Sequence, residues 1–81
     1  MNVNVVAFAR ARDLLGKDRI QLTLPADATL EFARQQLLAQ YPDLQKLLPH
    51  CSFAVNHEYA TGDTVLTEGC EIGCIPPVSG G

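Results

Sequence analysis

The sequence predicts a two-layer α+β fold: a mixed sheet of four to five strands, one main helix across one face, and a flexible C-terminal tail. Three observations carry this. Residues 19–24, Arg-Ile-Gln-Leu-Thr-Leu, alternate polar and apolar with the period of a half-buried strand. One stretch, 29–41, repeats apolar residues at helical spacing. Short apolar runs bounded by turn residues flank it, giving the order β-β-α-β-(β)-β, and a helix laid on a sheet buries both apolar faces.

Each element has its own signal. Residues 3–8, Val-Asn-Val-Val-Ala-Phe, read as the first strand. Ala9 to Leu15 mixes Arg10, Arg12 and Asp13 with apolar residues and stops at Gly16, which fits a short helical turn or a loop. Strand 19–24 then turns Ile20, Leu22 and Leu24 inward and pairs antiparallel with the first. Thr29 fits a helix N-cap, and Glu31 places a negative charge in the first turn, where the helix dipole favours it. Leu30, Ala33, Leu37 and Tyr41 form the apolar stripe, with Leu38 beside them. Arg34, Gln35, Gln36 and Gln40 cover the opposite side. Pro42 stops this helix, and a second helical turn, Asp43 to Leu48, ends at Pro49. Residues 51–56 read as a third strand and 58–60 as a short one. Residues 70–75 read as the last strand, stopped by Pro76-Pro77 because proline cannot donate to the ladder. The chain thus divides into a domain at 1–75 and a tail at 76–81. A mixed sheet with one helix across it, in this order, is the β-grasp, or ubiquitin-like, architecture.

Composition narrows the function. Eighty-one residues make one domain, with little chain to wall a deep pocket. Nine acidic against six basic residues leave a net charge of −3, and Asp13 and Asp18 interrupt the one basic stretch. With no Trp and 6% aromatic residues, neither a phosphate-binding surface nor a base-stacking platform is expected, so no nucleic-acid partner. No apolar run reaches the length of a bilayer span. No basic segment precedes an apolar one at the N-terminus. A cytoplasmic protein with no membrane partner is expected. Cys51, Cys70 and Cys74 are an odd set. On one strand, Cys70 and Cys74 would lie roughly 13 Å apart, too far to bridge. Without C-x-x-C or paired His spacing, no metal site is expected, and the cysteines read as small buried apolar side chains. His50 and His57 lie in loops with no nucleophile and acid arranged around them, so they read as surface residues.

The tail Pro76-Pro77-Val78-Ser79-Gly80-Gly81 is the most unusual feature. Two prolines stiffen its exit from the sheet. Two glycines, lacking Cβ, can enter a slot that excludes other residues. From Pro77 the chain reaches at most about 14 Å further. The functional group at its tip is the α-carboxylate of Gly81, a poor electrophile until converted to an acyl-adenylate. Gly-Gly alone reads as a frayed terminus, whereas the six-residue tail directly after a strand is more specific. Strand parity adds a surface. Cys70, Ile72 and Cys74 face the helix, leaving Glu71, Gly73 and Ile75 outside. Phe8 and Ile75, with Tyr59, then form an exposed apolar patch near the tail, as partner surfaces often do.

These residues resemble the small subunits of molybdopterin synthase, ubiquitin-like sulfur carriers of molybdenum cofactor biosynthesis. The resemblance spans nearly the whole chain. It includes Val-Val-Ala-Phe-Ala-Arg-Ala-Arg-Asp-Leu-Leu-Gly at 5–16, Leu-Pro-Ala-Asp-Ala-Thr-Leu at 24–30, Ala-Val-Asn-His-Glu-Tyr at 54–59 and Glu-Gly-Cys-Glu-Ile-Gly-Cys-Ile-Pro-Pro-Val-Ser-Gly-Gly at 68–81. It implies that Gly81 is adenylated by an E1-like activating enzyme that uses ATP. A sulfur donor protein then converts it to a thiocarboxylate. Pro76, Pro77, Val78, Ser79 and Gly80 thread the tail into the large subunit of a heterotetramer, where sulfur passes to cyclic pyranopterin monophosphate. Phe8, Tyr59 and Ile75 meet the partners. The chain binds no cofactor and is itself non-catalytic, the active-site side chains being on the large subunit. The family usually reads Gly-Asp-Glu-Val-Ala-Phe where this chain reads Gly69-Cys70-Glu71-Ile72-Gly73-Cys74, which implies a looser core under the tail. A thiamine-type sulfur carrier and a ubiquitin-like protein modifier are the alternatives, with a plain interaction domain the remaining one.

Overall fold

Alternation in the first two strands sets up the sheet. In the computed structural model, which describes residues 1–77, β1 (Asn2–Ala7) and β2 (Arg19–Thr23) pair antiparallel, with Val3 opposite Leu22 and Val5 opposite Ile20. β3 (Ser52–Val55), β4 (Glu58–Tyr59) and β5 (Glu71–Ile75) complete a five-stranded sheet in the order β2-β1-β5-β3-β4. β5 runs parallel to β1 and antiparallel to β3, so the strand that leads into the tail is the central one. The main helix, α2 (Leu30–Gln40), buries Leu30, Ala33 and Leu37. Their partners are the inward residues of the sheet, among them Val3, Val5, Ala7, Leu22, Phe53 and Ile72. Met1, Leu38 and Tyr41 close the margin of this core.

The Thr29 side chain accepts a hydrogen bond from the Phe32 N–H at 3.2 Å, satisfying one of the free donors at the start of α2. Thr29→Ala is expected to lower stability by about 1 kcal/mol, read as a shift of the urea midpoint at unchanged slope; an unchanged midpoint would show that the cap contributes nothing. In the first turn, Arg34 grips Glu31 with two hydrogen bonds at 2.8 and 2.9 Å and holds its carboxyl below the usual carboxylate range.

Two connections differ from the expectation. Residues Ala9–Leu15 are a true helix, α1, burying Ala11 and Leu15 one turn apart. Gly16, at φ 78°, ends it with its N–H bonded to the Arg12 carbonyl at 2.9 Å. In place of one helical turn at 43–48 there are two 3-10 turns, Pro42–Leu44 and Leu48–His50. Pro42 and Pro49 sit in the first positions of these turns, where a missing N–H leaves no bond unmade. Each turn plugs the core with one leucine, Leu44 or Leu48.

The three cysteines are free thiols, Cys70 and Cys74 buried and Cys51 half-buried. Phe53 pairs with Cys74 across β3 and β5, and Cys51 lies two residues before Phe53. The Cys51 thiol donates to the Leu47 carbonyl at 3.4 Å. Burial, then the neighbouring Cys51 thiol, push Cys74 from 9.0 up to about 12. The unfolded chain therefore releases the Cys74 proton at lower pH than the folded chain. The contribution is fully present below about pH 9 and lost as pH rises towards 12, by up to about 1.4 kcal/mol per unit. Over that window, wild type is expected to lose stability more steeply than Cys74→Ala in urea titrations; equal slopes would show that Cys74 ionises as freely folded as unfolded.

Candidate functional site

Among the described residues, α2 packs on one face of the sheet and the other face points away from it. The registers align one row across all five strands on that face: Arg19, Val6, Gly73, Ala54 and Tyr59. Gly73 at its middle and Ala54 beside it are its smallest members, so the face is shallow there. Phe8 follows β1 and Ile75 ends β5, each two residues beyond its row member and on the same side. Phe8, Tyr59 and Ile75 thus come together around one open hollow of about 240 Å³, whose other lining residues are Ala54, His57, Glu71 and Gly73. Phe8 is 48% exposed and Tyr59 76%, large values for aromatic side chains. The parity expectation holds on both sides: Cys70, Ile72 and Cys74 are buried, and Glu71, Gly73 and Ile75 lie outward, half-buried.

Local backbone explains how two of these groups are presented. Phe8 is the extended N-cap of α1, its N–H bonded to the Cys74 carbonyl at 3.3 Å. Ala9 follows with φ 50°, a left-handed conformation uncommon outside glycine, and turns the chain out of β1 into α1. Asn56 and His57, at φ 50° and 73°, make the two-residue turn between β3 and β4 with the type I′ pattern. That turn places His57 and Tyr59 at the hollow.

Charge at the rim centres on Glu71. One of its oxygens meets Arg19 at 3.2 Å and the other lies 3.6 Å from His57 Nε2. The Asn56 side chain accepts from the Glu71 N–H at 2.9 Å, and the Glu71 carbonyl accepts from the Asn56 N–H at 2.8 Å. Exposed pairs of this kind contribute about 0–1 kcal/mol. They hold the turn and the strand in register beside the apolar patch. Sequence reading placed His57 on the surface without Glu71 as its neighbour, since nothing local links positions 57 and 71.

Pro76 and Pro77 continue from β5 at the same end of the molecule. With Phe8, Arg10, Leu47 and Ile75 they line a second groove, of about 670 Å³. Val78, Ser79, Gly80 and Gly81 lie outside the described residues. Among the described residues no group of three or more His, Cys, Asp or Glu could hold a metal ion, and no helix is long and apolar enough to cross a membrane. The site is an exposed apolar patch of Phe8, Tyr59 and Ile75 beside Pro76 and Pro77.

Residues 5–81 match the model of the ThiS family. A molybdopterin synthase sulfur carrier subunit of Caenorhabditis briggsae is 39% identical, over all of this chain and 99% of its own length. Among solved structures, SAMP1 from Haloferax volcanii superposes with a TM-score of 0.92 at 25% identity, covering all of both chains. A putative molybdopterin converting factor subunit 1 from Pyrococcus furiosus gives 0.89 at 27% identity, covering 96% of this chain and 99% of that one. The mixed five-stranded sheet with its helix and these matches agree: the chain has the ubiquitin-like β-grasp fold and belongs to the ThiS family, alongside the molybdopterin synthase sulfur carrier subunits.

Proposed function

We propose that this chain is the sulfur-carrying small subunit of molybdopterin synthase. The observation that carries the reading is the end-to-end match to a relative of that name, and the apolar hollow at the tail root supports it. An E1-like activating enzyme transfers AMP from ATP to the Gly81 carboxylate, releasing pyrophosphate. Sulfide delivered by a sulfur donor protein then attacks the acyl carbon and displaces AMP, leaving a C-terminal thiocarboxylate. The outer face around Phe8, Tyr59 and Ile75 docks on the large subunit, within a cytoplasmic heterotetramer. Pro76 and Pro77 direct the tail away from the sheet, and Val78, Ser79 and Gly80 thread it into the large subunit's active site. There the sulfur passes to cyclic pyranopterin monophosphate, and two such transfers complete the dithiolene. This chain supplies the sulfur and the docking surface, and the large subunit supplies the catalytic side chains.

The test is intact mass after incubation with ATP, sulfide and an activating enzyme that charges this family. The expected product is heavier by one oxygen-to-sulfur exchange, localised to Gly81. Consumption of that product by the large subunit and cyclic pyranopterin monophosphate completes the assignment. An unmodified mass overturns it. A second reading, a protein modifier joined to lysines, is favoured by the closeness of the fold to SAMP1; isopeptide-linked conjugates in cell extract would support it.

A further inference from the structure

We propose that Gly73 is a positioning residue: its missing side chain seats the Phe8 ring on the outer face and pre-sets it as an anchor for the large subunit. The proposal rests on the reading that this face docks that subunit.

A glycine inside a central strand needs a reason, since it packs nothing and is entropically unfavourable there. Backbone conformation does not supply one, because the glycines at positive φ are Gly16 and Gly69, not Gly73. The space above Gly73 does. A Cβ built there would meet Phe8 Cε2 at 3.6 Å and the Ala54 Cβ at 3.9 Å. Both are ordinary contact distances, so one methyl fits, while the γ-carbons of a branched side chain would compete with the ring for the space beyond it. The edge of the Phe8 ring lies over Gly73, beside the open hollow that both residues line.

The backbone of Phe8 is held in place. Its N–H is held by the Cys74 carbonyl, and its own carbonyl accepts from the N–H groups of Ala11 at 3.1 Å and Arg12 at 3.4 Å. The left-handed Ala9 fixes the exit of the chain. With the backbone held on both sides, the surface beneath the ring decides where it lies. A half-exposed aromatic already in place loses less side-chain freedom on docking than a mobile one, which strengthens binding without new contacts.

The experiment is a double-mutant cycle read by titration calorimetry against the large subunit, with thermal melts of each variant. Gly73→Val adds β-propensity, so its melting temperature is expected to hold or rise, while its affinity falls about tenfold as the γ-methyls displace the ring. Gly73→Ala is expected to keep affinity within about twofold. Phe8→Ala weakens binding alone, and the double variant Phe8→Ala/Gly73→Val is expected to bind no more weakly than Phe8→Ala. Wild-type affinity in Gly73→Val, or losses that add in full, would overturn the proposal. In the free chain, a nuclear Overhauser contact between the Phe8 ring and the Gly73 Hα is expected, and its absence would also overturn it. Failure of wild type to bind the large subunit would instead sink the docking reading, with the Overhauser contact still deciding whether the seat exists.

Discussion

Removal of Gly80 and Gly81 is expected to abolish sulfur transfer and leave the fold intact. The proposed chemistry requires a carboxylate that can be adenylated, at the end of a segment whose glycines carry no side chain to obstruct its entry into a partner. A chain ending at Ser79 presents a carboxylate two residues short, and on a bulkier residue. Among the described residues, β5 ends at Ile75 and the buried cluster runs from Val3 to Cys74. The melting temperature should therefore move no more than for a neutral surface change, equivalent to within about 0.5 kcal/mol. The measurement pairs calorimetric melting with molybdopterin formation in a reconstituted reaction with the large subunit and cyclic pyranopterin monophosphate. A truncated chain that still supports formation at the wild-type rate would remove Gly81 from the mechanism.

What could be read from the sequence followed the range of each signal. The period of two in residues 19–24 and the Thr29 cap are local, and both features appear in the fold. Strand parity extends a local signal to a surface, so Phe8 and Ile75 could be placed on the outer face without knowing the strand order. α1 was harder, because a seven-residue helix buries only Ala11 and Leu15, too few for a period to show. Pro42 and Pro49 read as stops, yet Pro42 opens one 3-10 turn and Pro49 is the second residue of the other, because proline's fixed φ suits the start of a turn as well as the end of a helix. The contacts that sequence did not reveal are those made by distant pairing. β1 meets β5 across some 65 residues of chain, and only that pairing brings Phe8 to Gly73. The apposition of β3 and β5 likewise creates the Cys51 and Cys74 neighbourhood and brings Glu71 to the turn at Asn56 and His57.

Ile72→Ala is expected to have the largest effect on stability. Ile72 is 2% exposed and sits in the central strand, paired with Val5 of β1 on one side and Val55 of β3 on the other. Truncating a buried isoleucine costs about 2–5 kcal/mol, from lost transfer energy and the cavity left behind. At about 0.05–0.15 kcal/mol per residue, an 81-residue domain has only about 4–12 kcal/mol in total. The substitution therefore removes a large part of the margin and should lower the melting temperature by roughly 10–30 °C. Its neighbour provides the control. Glu71→Gln changes an outward side chain whose ion pairs are exposed, so its cost should stay within about 1 kcal/mol. β5 is also the strand from which the tail departs, so loss of its packing loosens the root of Pro76 and Pro77. Sulfur transfer by Ile72→Ala should consequently fail on warming at the temperature where its calorimetric transition begins, well below that of wild type. Equal melting temperatures for the two variants would contradict the inward orientation of Ile72. Loss of transfer far below the Ile72→Ala transition would show that the tail root loosens before the domain unfolds.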